Sequence, residues 1–247
     1  MVALTRLANT REFWNRRRIL LAGTIAAVHS IWDAIWPMAV AGALSPTITV
    51  VVLAILMRPN RPRLHAFAFW CGAVLAMLVW AMLVSSAMWG LVTDTERDLQ
   101  RFSKVIDFVL AALLLAFALW RLLVKPRKDG ESVINMSRLS EGGLWPMLAF
   151  GAVMQGRNVT SVLLFCAAQQ HIDAAPLPLY QQVALTLVVI AIVTASSWIP
   201  ILLPIRATDK LHSRLSPARI WLSDHTKMIE VGAALLGSAY LFARAVS

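Results

Sequence analysis

The sequence predicts an all-α integral membrane protein, with six transmembrane helices in two inverted three-helix repeats whose first helices are broken. Composition is the first observation: of 247 residues, 59% are hydrophobic and 15% charged, with a mean hydropathy of +0.68, whereas a soluble domain carries about 25% charged residues. Second, the apolar residues come in runs of the roughly 20 needed to cross a bilayer as a helix. Third, runs such as FVLAALLLAFALW (108–120) are apolar all round, unlike the alternating strands of an outer-membrane barrel. In hydrocarbon every backbone N–H and C=O must be paired within the segment, so these runs are helices.

The chain opens with a basic extension, residues 1–30. Arg6, Arg11, Arg16, Arg17 and Arg18 precede ILLAGTIAAV (19–28). An interfacial helix with Trp14 and the arginines at the headgroups is the favoured reading. A signal-like segment ending at Val28 to Ser30 and residues added by an upstream start codon are the alternatives. Residues 31–124 then hold three spans, at about 32–57, 64–92 and 103–124. A basic loop, 125–143, leads to residues 144–247, with spans at about 144–170, 179–205 and 226–245.

Lysine and arginine set the orientation. Arg58, Arg61, Arg63, Arg121, Lys125, Arg127, Lys128, Arg138, Arg206, Lys210, Arg214, Arg219 and Lys227 flank alternate loops. The opposite side has Arg97, Arg101, Lys104 and Arg244, and none in HIDAAPLPLY (171–180). Odd-numbered loops therefore face the cytoplasm and the protein sits in the cytoplasmic membrane, with the N-terminal arginines as the one disagreement. The net charge of +10 follows from this bias, and it suits anionic headgroups. Nucleic acid is not an expected partner, because a soluble basic face is missing.

Three spans on each side of one loop make the second half inverted relative to the first, an architecture that places transporter sites on interrupted helices near the midplane. Each half supplies an interruption in its first span. In GALSPT, Ser45 and Pro46 form an N-cap and N1 pair, and the proline removes a backbone donor. In MQGRNVTS, Gly156 permits unusual dihedrals and Asn158 caps the helix that follows. An arginine at the bilayer centre costs at least a few kcal/mol, so Arg157 is expected to face the bundle interior. With two half-helix N-termini it would form an anion cradle. The predicted substrate-binding residues are Arg157, Asn158, Ser45, Pro46, Gln155 and Gly156. The structural alternative has Arg157 paired with Asp33 or Asp107, and Pro46 as an ordinary kink. Asp33, Asp107 and Glu230, near span ends within reach of water, are candidates for an ion pair or a proton path.

Further features complete the reading. Trp32, Trp36, Trp89, Trp145, Trp198 and Trp221 suit interfacial anchoring. Pro200 and Pro204, after Ser196 and Ser197, suggest a hinge in span five, and residues 209–225 an amphipathic surface helix. Small residues on several spans allow a homodimer, although no G-x-x-x-G is present. Cys71 and Cys166 lie inside spans, and the five histidines lack the spacing of a zinc site. No metal or cofactor is expected. Nor is an enzyme: G-x-S-x-G, H-E-x-x-H and P-loop motifs are absent, and His65 and His171 read as interfacial.

The order and spacing of several short segments resemble the GAP family of glycopeptidolipid- and sulfolipid-addressing membrane proteins, placed in the lysine-exporter superfamily. They are ALSP (43–46) with Arg58 and Pro59 after it, AFxFWxG (66–72), ALW-R (118–121), GRN (156–158), SSWIP (196–200), WLxxH (221–225) and LLGSAYL (235–241). The likeness covers about residues 31–247. The family's usual fourth-span string resembles N-P-K-N; Gln155, Gly156, Arg157 and Asn158 keep its basic residue and second asparagine.

The resemblance implies a lysine-exporter-like fold and a part in moving a glycolipid or anionic cell-envelope lipid across the cytoplasmic membrane, as transporter or flippase-like accessory, beside a larger lipid exporter or synthase. Anionic or glycosylated lipids would then be its partners. Two other functions are expected to compete. A small-solute exporter of amino acids or cations would need Asp33 or Asp107 along the path. A non-transporting scaffold for a synthase and exporter would act through its basic loops.

Overall fold

The computed structural model of the chain describes residues 28–58, 61–91, 96–124, 143–202 and 209–246, with side chains except at 90–102, 209–219 and 223. The basic extension up to residue 27 and the loop 125–142 lie outside the described residues.

All regular structure among the described residues is helical. The helices are α1 (Val28–Ala43), α2 (Pro46–Leu56), α3 (Pro62–Leu91), α4 (Glu96–Leu123), α5 (Leu144–Gly156), α6 (Val159–Asp173), α7 (Leu179–Val193), α8 (Ala195–Leu202) and α9 (Asp209–Val246). Within them, Pro62–Trp89, Ser103–Leu123 and Asp224–Val246 are each long and apolar enough to cross a membrane. Two bent pairs, α1 with α2 at 54° and α7 with α8 at 68°, bring the number to five if each is one span. Only 28% to 33% of the best window in each long helix is buried, so Met82, Leu113 and Leu236 face outward with many other large apolar side chains. Water does not tolerate an apolar surface of that extent. The chain is an all-α membrane protein.

Two separate apolar cores organise it. One gathers Ile35 and Met38 of α1, Met77 of α3, Leu114 of α4, Phe165 of α6, Ile190 of α7 and Leu241 of α9. The other gathers Val52 and Ile55 of α2, Phe69 of α3 and Met147 and Phe150 of α5, with Ile201 of α8 packed against it. Along each interrupted stretch the chain thus passes from one core to the other at its break: α1 to α2, α5 to α6, α7 to α8.

The tightest helix contact is α3 on α5. A Cβ at Gly72 would lie 1.9 Å from the Leu148 carbonyl oxygen, and one at Gly151 would lie 2.0 Å from that of Phe69. Gly72 and Gly151 are therefore used between helices of one chain.

Two expectations are corrected here. Span five bends at Thr194, upstream of Pro200, which lies inside α8. The Thr194 hydroxyl donates back to Ile190 O at 2.8 Å, a bond that bends helices, and the Trp198 indole satisfies Ala191 O at 2.8 Å. Residues 209–225, expected as a separate surface helix, are continuous with the last span in the 38-residue α9.

Candidate functional site at the helix breaks

Breaking a helix inside a membrane frees backbone groups that water cannot reach, so the protein must supply their partners. The first break is made by Leu44 and Ser45, which leave the helix; Ser45 is extended (φ −116°, ψ 90°), and Pro46 starts α2 where no donor is required. The second is made by Arg157 and Asn158 between α5 and α6.

The two breaks supply each other. Asn158 Nδ2 donates to Ser45 Oγ at 2.9 Å and to Ser161 Oγ at 2.7 Å, while its Oδ1 accepts from the Ser161 amide. The Ser161 hydroxyl then donates to Gly42 O at 2.5 Å, satisfying a carbonyl at the end of α1. The N-cap of one half-helix is thus bonded to the N-cap of the other, and the first turn of α6 closes the last turn of α1. Ser45, Thr160 and Ser161 are all buried.

Other predicted site residues are placed differently. Gln155 is completely buried, and neither atom of its amide finds a partner. Gly156 stays helical with no positive φ, so the break does not draw on glycine's conformational freedom. Arg157, expected to face the bundle interior, is exposed and has no partner among the described residues. Its neighbour Asn158 is taken inward by three hydrogen bonds, and the guanidinium is left at the surface of the bundle at the level of the break.

The α2 N-terminus is already supplied with an anion. Glu230 of α9 accepts from the Thr47 hydroxyl at 2.6 Å and is paired with Arg121 of α4, whose Nη2 and Nε stand 3.1 and 3.2 Å from Oε2. A carboxylate near the first turn offsets the helix dipole. Of the two helix N-termini at the breaks, one is thus engaged by Glu230 and the other capped by Asn158, and Arg157 beside them has no partner among the described residues.

Asp107 does not pair with Arg157 and is not open to water. It is 2% exposed, accepts from Gln170 Nε2, and lies 3.2 Å from His171 Nε2, within ion-pair range but off the line of a hydrogen bond. His171 is thereby a partner of a buried carboxylate. Nearby in sequence, Asp173 accepts from Ser85 Oγ at 2.8 Å and from Gln169 Nε2 at 2.9 Å, and Gln169 Oε1 accepts from Thr186. Asp33 is exposed, with no partner among the described residues. The three acids do not converge: Asp107 of α4 bonds to α6, Glu230 of α9 to α2 and α4, and Asp33 of α1 to neither group.

With this geometry, the comparison with known families is decisive. Residues 35–247 match the family described as Sap, sulfolipid-1-addressing protein. The chain belongs to that family. No curated protein and no solved structure matches it. In this member of the sulfolipid-1-addressing family, most segments that carry the sequence resemblance are contact segments. Ser45 bonds Asn158; Gly72 lets α5 approach, and the Trp70 indole donates to Thr194 Oγ1 at 3.3 Å. Arg121 meets Glu230. Trp221 stacks on His225 with centroids 4.6 Å apart. Ser238 and Tyr240 donate to Ala111 O and Ala34 O.

Proposed function

We propose that the chain is a six-span transporter or flippase-like accessory, moving a glycolipid or anionic lipid of the cell envelope across the cytoplasmic membrane. The sixth span in this reading is α5 with α6, and the odd-numbered loops face the cytoplasm. The family description, which names a sulfolipid, supports a lipid cargo. Its broken first spans, 31–124 against 144–247, support two inverted repeats of the lysine-exporter kind.

The observation that carries the reading is the exposed Arg157 beside the bonded pair Ser45 and Asn158, at the level where the chain passes between two apolar cores. An anionic headgroup crossing hydrocarbon unaided bears a desolvation cost of tens of kcal/mol in the idealised limit. A guanidinium at the bundle surface binds sulfate or phosphate oxygens in a two-pronged bond. The tails remain in the bilayer throughout. Because Arg157 faces out, the lipid reaches it laterally without entering a closed channel.

The test is lipid analysis of whole cells and surface extracts from a strain lacking the gene, with and without the wild-type copy. One lipid class withheld from the surface and restored by the wild-type copy supports the reading. An unchanged distribution removes it in favour of small-solute export.

A further inference from the structure

Between α3, α4 and α6 lies a cavity of about 170 Å³, lined by Ala87 and Met88 of α3, Ile106 and Leu110 of α4, and Cys166 and Gln170 of α6, among others. We propose that this cavity seats a segment of one hydrocarbon chain of a bilayer lipid, separately from the headgroup site at the breaks.

Chemistry of the walls selects the occupant. A buried water needs two to four polar partners, and the lining offers one amide, Gln170, whose nitrogen is already given to Asp107. The cavity is thus too apolar to be held open by water. Hydrocarbon is the phase available to it, because α3 and α4 are two of the helices long and apolar enough to cross a membrane. The way in is at Ala87, which is exposed, whereas Met88 and Leu110 behind it are 4% and 8% exposed. Around that opening Leu83 and Val109 are half exposed, so a lipid tail lying against α3 and α4 meets an apolar recess. An unfilled void would forfeit the dispersion contacts of every wall atom, and a methylene chain restores them.

Gln170 ties this recess to the rest of the molecule. It is 1% exposed, lines the cavity, and holds the buried Asp107 beside His171. A chain that fills the recess therefore packs against the side chain that orients the buried acid.

This inference deepens the lipid-handling reading, and its test is independent of export. The full-length protein is reconstituted in phosphatidylcholine vesicles containing phosphatidylglycerol with a diazirine in one acyl chain, irradiated, and the adducts are mapped by mass spectrometry. Adducts are expected several-fold enriched on the segments holding Ala87, Ile106, Leu110 and Cys166, over the lipid-facing Leu187 and Val188 of α7. Ala87→Phe, which blocks the mouth, and Cys166→Leu, which fills the wall, should each reduce them while leaving those on α7 unchanged; if one variant fails to fold, the other decides. Adducts spread evenly over the outward apolar residues, or insensitive to the folded variants, would overturn the proposal. Enrichment that persists in Arg157→Ala alongside lost export would uphold the cavity and assign transport to the other site; enrichment without any lipid phenotype would uphold the cavity alone.

Discussion

Asn158 donates to Ser45 at 2.9 Å, joining the N-caps of two half-helices whose positions are 113 residues apart in the sequence. The same asparagine caps α6, and Ser161, which it also bonds, closes the end of α1. Two interruptions, each costly alone in hydrocarbon, become one polar layer in which the freed groups meet. Function is proposed to use the cation that this arrangement leaves outside.

Replacing Asn158 with alanine removes a cap and two donated bonds, at an expected cost of about 1–3 kcal/mol. Ser45→Ala removes one interhelical bond and should cost about 0.6 kcal/mol, the usual value between membrane helices. Thermal unfolding in detergent, run as a double-mutant cycle, should show the two effects to be coupled. Full additivity would deny the bond between the breaks.

At the α3–α5 crossing, Gly72→Ala and Gly151→Ala place a methyl against backbone carbonyls, which cannot move as a side-chain end can. Each should cost more than the roughly 1–3 kcal/mol of ordinary overpacking and reduce the yield of monodisperse protein. Gly232→Ala, with nothing within 4 Å of the new methyl, should be neutral or stabilising by up to about 1 kcal/mol through helix propensity.

Glu230→Gln keeps an acceptor for Thr47 but ends the pair with Arg121. Both side chains are partly exposed, at 35% for Arg121 and 18% for Glu230, so the expected loss in thermal stability is about 0.2–1 kcal/mol. Glu230→Leu also removes the acceptor for the Thr47 hydroxyl, adding about 0.5–1.5 kcal/mol. Equal stability of the two variants would show that the Thr47 bond contributes nothing.

The buried pair behaves differently. Asp107→Leu or His171→Leu alone leaves a polar group without its partner and should cost about 3–5 kcal/mol if the pair is charged, while the double variant should recover part of that loss. Asp107→Asn also separates functions: under small-solute export it abolishes solute efflux with normal lipids, and under lipid movement the surface lipids follow Arg157 instead. Charge reversal at Lys125, Arg127 and Lys128 is decisive only for the scaffold reading, which predicts loss of function there and silent Arg157 variants.

Helix class and the first two breaks were legible in the sequence because their causes are local. Long apolar runs require helices, Ser45 with Pro46 starts one, and Asn158 caps another. The third break was not, since Thr194 acts through a back-bond to Ile190 O and an indole from α3, whereas Pro200, visible downstream, is accommodated inside α8 and Pro204 lies outside the described residues. Asp107 and His171 are 64 positions apart and meet through the register of α4 on α6, which no short motif encodes. The outward turn of Arg157 was hidden for a similar reason: it follows from where Asn158 finds its partners.

The most direct measurement is lipid analysis of surface extracts from a strain lacking the gene, complemented with wild type, Arg157→Ala or Arg157→Lys at equal membrane levels. The account predicts that wild type restores the missing lipid, Arg157→Ala leaves it inside the cell, and Arg157→Lys restores part, since lysine keeps the charge without the two-pronged geometry. Full restoration by both variants would contradict it.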